Sequence, residues 1–211
     1  MELTIFILRL AIYILTFPLY LLNFLGLWSW ICKKWFPYFL VRFTVIYNEQ
    51  MASKKRELFS NLQEFAGPSG KLSLLESIAE NRHLQFERFV VAAGENMHQV
   101  ADGSVDVVVC TLVLCSVKNQ ERILREVCRV LRPGGAFYFM EHVAAECSTW
   151  NYFWQQVLDP AWHLLFDGCN LTRESWKALE RASFSKLKLQ HIQAPLSWEL
   201  VRPHIYGYAV K

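Results

Sequence analysis

Residues 94–117, GENMHQVADGSVDVVVCTLVLCSV, and residues 123–142, ILREVCRVLRPGGAFYFMEH, decide the fold of this chain. Asp102-Gly103 is a turn signal, and Val105 to Leu114 after it is almost entirely β-branched or apolar. Such a run is typical of a strand that is buried on both faces of a parallel sheet. The first stretch therefore predicts a turn followed by a central strand.

The second stretch predicts a helix and another strand. Residues 119–131 place apolar side chains on one helical face. Arg132-Pro133-Gly134-Gly135 ends that helix, because proline cannot continue it and glycine accepts positive φ. Ala136 to His142 is then the next strand, which makes an open α/β sheet. Outside this centre we predict strands at 71–76, 89–93, 185–193 and 202–211, and helices at 48–65, 77–85 and 173–182, the last with Thr172 as its N-cap.

The N-terminal region has the composition of a membrane anchor. No charged side chain lies between Arg9 and Lys33, and as a helix residues 10–32 would reach about 34 Å, enough to cross a hydrocarbon core. The far end of this run carries the aromatic and basic residues typical of a membrane interface: Trp28, Trp30, Lys33, Lys34, Trp35 and Tyr38. The surplus of Lys and Arg downstream predicts that the rest of the chain faces the cytosol.

Several interpretations of this region stay open. Pro18, Asn23 and Gly26 interrupt the apolar run, so a bent hairpin in one leaflet competes with a single spanning helix. A cleaved signal peptide and a buried core helix are further alternatives, although the run has no small-x-small cleavage site. We divide the chain into an anchor with an interfacial segment (1–47), a connecting helix and linker (48–70) and a catalytic-type domain (71–211).

Composition excludes some functions. The chain has 211 residues and a net charge of +3, from 22 basic and 19 acidic side chains, too small a surplus for a nucleic-acid-binding protein. No two of its six cysteines have C-x-x-C spacing, so zinc-ribbon and thioredoxin-like sites are poorly supported and we predict no metal.

The two central stretches resemble consecutive motifs of the class I S-adenosylmethionine-dependent methyltransferases, a "dgsfD" turn before one strand and "RVLkPGG" before the next. The apolar N-terminus, the Trp-rich segment after residue 146 and the ending PHIYGYAVK are similar to membrane-anchored alkyl-thiol S-methyltransferases of the endoplasmic reticulum and lipid droplets. This resemblance implies a Rossmann-like fold, S-adenosylmethionine as cofactor, and a small lipophilic thiol and membrane lipid as partners. In that family a thiolate attacks the methyl group in line, and the protein mainly positions the reactants.

One departure from the family is evident. Class I methyltransferases follow their first strand with a Gly-rich loop, a helix and a strand that ends in an acid. Here Leu74-Leu75-Glu76 runs directly into Ser77, and no G-x-G is nearby. About 30 residues, one helix–strand step, are missing relative to the family pattern. We therefore predict a sheet that is one step short and a methyl transfer that is weak or lost, with a non-catalytic membrane or lipid-droplet protein as the alternative.

The candidate site residues follow from where ligands bind in such sheets, beyond the carboxyl ends of the strands. His142 ends a strand on that side and is our first candidate base, with Asp159, His163 and Asp167 as alternatives. The strand ends and the resemblance together give the cofactor-side candidates Glu76, Gly94, Glu95, Cys110 and Leu112.

Overall fold

The computed structural model describes residues 2–67, 72–76 and 92–211. Its helices are α1 (Glu2–Phe24), α2 (Leu27–Leu58), α3 (Gln120–Val130), α4 (Trp150–Leu165) and α5 (Ser175–Arg181), and its strands are β1 (Leu74–Glu76), β2 (Val105–Thr111), β3 (Leu131–His142), β4 (Lys186–Gln193) and β5 (Pro203–Val210). Short 3-10 helices span Leu62–Phe65 and Glu199–Val201.

These residues form two compact units. The first unit comprises Met1–Lys54, His142–Glu174 and Ile192–His204. The second unit comprises Lys55–Glu141, Ser175–His191 and Ile205–Lys211. We describe each unit separately.

In the first unit, the apolar N-terminal run forms two helices rather than one. The break falls at Leu25–Gly26, where Gly26 has a φ of 73°, a left-handed conformation that glycine adopts without strain. Pro18 lies inside α1 and does not end it. By length and composition α1 is able to cross a membrane. Residues 48–58, predicted as part of a separate helix, are instead the end of the long α2.

Helix α4 binds the N-terminal helices through its own backbone carbonyls. Pro160 has no N–H to donate to the carbonyl of Gln156, and the Arg9 Nε donates to that oxygen instead at 2.7 Å. The indole Nε1 of Trp28 donates to the carbonyl of Leu164, in the last turn, at 2.8 Å. Both carbonyls lack an intrahelical partner for a known reason, a proline or a helix end, and side chains from α1 and α2 satisfy them.

Within the described residues, the second unit is built on a five-stranded sheet with the order β1-β2-β3-β5-β4. Strand β2 pairs in parallel with β1 on one side and with β3 on the other, and Val107 and Phe137 are fully buried. This arrangement confirms the open α/β sheet predicted from the alternating strands and helices. The predicted helix 77–85 and nearly all of the predicted strand 89–93 lie outside the described residues.

Helix α3 follows the prediction closely, whereas β3 begins at Leu131, five residues before the predicted start at Ala136, with an irregular register in between. Asn119 caps α3 by accepting a hydrogen bond from the Arg122 N–H, and the apolar face of the helix is buried. After the helix, the carboxylate of Asp106 pairs with the guanidinium of Arg132 and also accepts the Ser73 N–H at 2.7 Å. A Cβ at Gly135 would lie 2.8 Å from the carbonyl oxygen of Asp106, so only glycine fits there.

The C-terminal region differs from the prediction at one point. The last two strands lie where expected, at Lys186–Gln193 and Pro203–Val210. Helix α5 begins at Ser175, so Thr172 is not its N-cap. The Thr172 N–H instead donates to Asp159. The predicted cap was wrong because a side chain elsewhere in the fold binds this backbone segment.

Candidate functional site

The carboxyl ends of β1 and β2 lie side by side in the second unit. Glu76 is the last residue of β1 and pairs in register with Val109, and Thr111 at the end of β2 pairs with Met140. The sequence-predicted residues Glu76, Cys110 and Leu112 therefore belong to one edge of the sheet. This is the edge at which open α/β sheets bind ligands.

Leu112 has an unusual backbone conformation at this edge. Its φ is 57°, in the left-handed region, which is uncommon for a residue other than glycine and costs about 1–2 kcal/mol. Its N–H donates to the carbonyl of Met140 at 3.0 Å, so the strand pairing continues up to the turn. Strand β2 therefore ends at Thr111, although the apolar run in the sequence continues to Leu114.

Glu141 holds the backbone after Leu112 in place. Its carboxylate accepts the N–H of Val113 and the N–H of Leu114, each at 3.0 Å, and lies 3.3 Å from the Sγ of Cys110. Glu141 is fully buried. The sequence placed Glu141 at the end of a strand but did not assign it this role. The only signal was an acidic residue at the end of an apolar strand.

Gly94 and Glu95 lie in a turn closed by the bridge between Ala93 and Asn96. The Glu95 carboxylate accepts the N–H of Lys118 at 3.0 Å and that of Asn119 at 3.4 Å, just before α3. Its position is the one where a carboxylate stabilises a helix N-terminus. The groove beside it has a volume of about 290 Å³ and is lined by Ala93, Glu95, Asn96, Lys118, Asn119 and Arg122.

Two of the cofactor-side candidates have partners within the described part of the chain. The Glu95 carboxylate is engaged by backbone N–H groups and Cys110 is buried beside Glu141. The groove volume lies at the lower limit of about 300–1,000 Å³ that is typical of ligand pockets.

Three of the candidate bases, His142, Asp159 and His163, lie in the first unit and have different neighbours. His142 is buried, and its Nε2 lies 3.0 Å from the Sγ of Cys169. Asp159 accepts the N–H of Leu171 at 2.5 Å. His163 is exposed, with its Nδ1 3.1 Å from the Oδ1 of Asn170.

Asp159 and His163 therefore both contact the short segment that follows α4. The carbonyl of His163 also accepts the N–H of Gly168, at 2.9 Å. These two residues hold the segment that carries Cys169, and of the three candidates His142 is the one that contacts the thiol itself.

A second buried histidine, His204, was not predicted. Only 1% of its surface is exposed, and its ring centroid lies 6.3 Å from that of His142. Burial, and secondarily the charge of His142, lower the pKa of His204 to about 3, so its imidazole is neutral at physiological pH. In the sequence it is a histidine at the start of an apolar strand, a pattern with no functional signal.

Sequence comparison with known proteins shows the family of this chain. The chain is 86% identical to human thiol S-methyltransferase TMT1A, over the full length of both proteins, and 47% identical to human thiol S-methyltransferase TMT1B, again over both full lengths. It belongs to the thiol S-methyltransferase family. A methyltransferase domain model matches residues 68–139. The chain is thus an S-adenosylmethionine-dependent methyltransferase by family, and S-adenosylmethionine is the cofactor of that class.

The thiol S-methyltransferase alignment also contains a length difference. It extends over 244 positions, whereas this chain has 211 residues, a difference of 33. An identity of 86% over 244 positions corresponds to about 210 identical residues, nearly the whole of this chain. The chain therefore differs from the TMT1A relative almost only by positions at which it has no residue.

Among solved structures, a possible histamine N-methyltransferase from Thermotoga maritima is 17% identical, with a TM-score of 0.43, over 58% of this chain and 64% of that one.

Proposed function

We propose that this chain is a membrane-associated member of the thiol S-methyltransferase family whose own methyl transfer to small lipophilic thiols is weak or lost. The observation that carries the proposal is the shortfall of 33 residues against the TMT1A relative. We place the shortfall after Glu76, where the sequence continues into SIAENRHL instead of a Gly-rich loop. The shortfall agrees with the helix–strand step of the family pattern that this chain lacks.

The missing residues have a large effect on the free energy of cofactor binding. A micromolar ligand has about −8 kcal/mol of binding free energy. The Gly-rich loop and the acid of the next strand supply backbone and carboxylate hydrogen bonds to such a cofactor. Losing two or three hydrogen bonds of about 1.5–3 kcal/mol each moves the affinity to millimolar or weaker. Glu95 does not compensate, because its carboxylate is engaged by the backbone before α3.

The membrane part of the proposal is supported by the exposed surface of the first unit. Leu15 and Phe24 of α1 are 78% and 85% exposed, which is unfavourable in water. In α2 the Lys34 ammonium lies 3.9 Å from the centre of the exposed Trp30 ring, a pairing suited to the lipid headgroup region. We propose that the protein resides in the endoplasmic reticulum membrane and on lipid droplets, with the methyltransferase-like part in the cytosol.

Catalysis is tested with purified chain in detergent, micromolar S-adenosylmethionine and an alkyl thiol, with the human TMT1A relative as the positive control. We expect at most about one-hundredth of the relative's rate of thioether formation, which corresponds to a loss of about 2.7 kcal/mol. A rate equal to that of the relative would contradict the proposal.

The alternative function is that of a non-catalytic membrane or lipid-droplet protein. Titration calorimetry with S-adenosylmethionine separates the two candidates. A weak enzyme binds the cofactor measurably at millimolar concentration, whereas a non-catalytic protein gives no binding heat. Flotation with liposomes tests the membrane part independently, since removal of residues 2–24 should abolish flotation in either case.

A further inference from the structure

Cys169 in the first unit lies in surroundings that favour its thiolate form. The His142 Nε2 is 3.0 Å from its Sγ, and the indole Nε1 of Trp162 donates to the same sulfur at 3.3 Å. An N–H donor to sulfur stabilises negative charge on it, and an imidazole in contact with a thiol can take the thiol proton. Both sulfur contacts therefore favour the same charge state.

The backbone before Cys169 is folded to present this thiol. Asp167 and Gly168 both have positive φ, 49° and 84°, and Asp167 is one of two such non-glycine residues in the described chain. The Asp159 carboxylate accepts the Leu171 N–H on the far side of the cysteine. The turn is thus held on both sides of Cys169, at a local conformational cost of about 1–2 kcal/mol.

Within the first unit, the other ionisable side chains near the pair do not compete for its proton. His204 has a pKa lowered to about 3 by burial, and its Nδ1 lies 3.1 Å from the carbonyl of Arg202, so it stays neutral. The Asp159 carboxylate is occupied by backbone N–H groups. His163 and Asp167 are exposed to solvent.

The first unit also contains a buried hydrogen-bond acceptor to which no described residue donates. With its Nδ1–H directed to Arg202, the Nε2 of His204 is a buried acceptor to which no described residue donates. Its ring lies edge-on to that of His142. A buried acceptor without a donor is rare in folded proteins, and it is consistent with a place for a polar group of a bound molecule.

We propose that Cys169 and His142 form a thiolate–imidazolium pair, and that Cys169 is a modification site for soft carbon electrophiles such as α,β-unsaturated carbonyl compounds. In the reaction the Cys169 sulfur forms a bond to the β-carbon, and the C=C electron pair moves to the α-carbon. The α-carbon takes the proton of the His142 imidazolium. The products are a thioether and a neutral imidazole, and nothing is oxidised or reduced. This chemistry is separate from methyl transfer and does not depend on it.

The first experiment measures the charge state directly. Ultraviolet thiolate absorbance of the purified chain in detergent is compared with that of Cys169→Ser between about pH 5 and pH 9. We expect a difference signal that is already complete at about pH 6.5, where a free thiol with a pKa of about 8.5 is only about 1% ionised. A difference signal that develops only above about pH 8 would overturn the proposal.

The second experiment measures reactivity with N-ethylmaleimide, itself an α,β-unsaturated carbonyl compound, by peptide mass spectrometry. Burial scales the absolute rate but not its dependence on pH. We expect the Cys169 rate to be flat between about pH 6 and pH 8, and to rise about tenfold per pH unit in His142→Gln. Trp162→Phe keeps an aromatic ring but removes the N–H donor to sulfur. In this variant the Cys169 rate should also rise with pH, but less steeply than in His142→Gln.

The exposed Cys147 serves as the internal reference in every sample. If the Cys169 rate in the unaltered chain rises with pH as steeply as it does in His142→Gln, the pair does not exist. If His142→Gln does not fold, the absorbance comparison with Cys169→Ser decides alone. Neither readout requires cofactor or methyl transfer, so a failure here is distinct from a failure of the proposed function.

Discussion

The conformation of the chain after β2 depends on Glu141. Its two carboxylate oxygens each accept one backbone N–H, from Val113 and from Leu114. In Glu141→Gln the amide NH₂ faces one of these donors, so one buried N–H loses its acceptor. We expect the free energy of unfolding to fall by about 2 kcal/mol, measured by urea denaturation in detergent. Glu146→Gln, at an exposed position, is the control and should change it by less than about 0.5 kcal/mol.

His204 makes stability depend on pH. Because burial lowers its pKa to about 3, the unfolded chain binds more protons than the folded chain between about pH 3 and pH 6.5. Stability is therefore full above about pH 6.5 and is lost as the pH falls, at up to about 1.4 kcal/mol per unit.

The measurement is urea denaturation at about pH 7 and about pH 5. His204→Gln should remove this part of the pH dependence, whereas substitution of the exposed His98 by Gln should not. An equal slope in the unaltered chain and in His204→Gln would show that His204 titrates normally.

At the scale of elements, the contact between α1 and α4 depends on Pro160. Arg9 donates to the Gln156 carbonyl because Pro160 lacks the N–H that would otherwise bind it. We expect Arg9→Met to reduce the free energy of unfolding by about 1–2 kcal/mol, because the partly buried Gln156 carbonyl then loses its side-chain donor. In a Pro160→Ala background the same change should cost less than about 0.5 kcal/mol, since the backbone of the introduced alanine supplies the missing N–H.

A double-mutant cycle in detergent measures this coupling. Equal costs of Arg9→Met in the two backgrounds would show that Arg9 does not act through this carbonyl. Arg56→Met, in the second unit, provides a control that should give the same effect with proline or alanine at position 160.

The elements were predictable where local pattern and tertiary structure agree. The apolar run predicts the buried strand Val105–Thr111, and the helical spacing of apolar residues predicts the helix after Asn119. Turn chemistry predicts the glycine at position 135. The end of β2 was not predictable, because Leu112 continues the apolar run and the turn there depends on Glu141, a distant residue. The break at Gly26 was among the possibilities, and α2 continues through Pro37 because a proline in a long helix is tolerated when the surroundings support it.

The candidate site was predictable only in part. The edge of the sheet follows from its topology, so Glu76 and Leu112 were placed correctly at that edge. The partner of His142 was not predictable, because Cys169 is 27 residues away and reaches it through a turn with positive φ. Whether the predicted residues bind cofactor or act as bases stays a prediction.

At the scale of the whole molecule, the shortfall of 33 residues should be reversible. Insertion of the corresponding TMT1A residues between Glu76 and Ser77 should raise S-adenosylmethionine affinity by at least about 100-fold, or about 2.7 kcal/mol. Calorimetry measures the affinity, and insertion of a Gly/Ser segment of the same length is the control. An affinity that does not change would mean that the defect lies elsewhere, for example in the engaged Glu95.

The pairing of Arg9 with Gln156 also has a consequence during synthesis. The two residues are 147 positions apart, so at about 5–20 residues per second Arg9 leaves the ribosome roughly 7–30 s before its acceptor exists. Throughout that interval Arg9 is without this acceptor. The contact of Arg9 with α4 therefore forms only after α2 and the strands β1 to β3 have been synthesised.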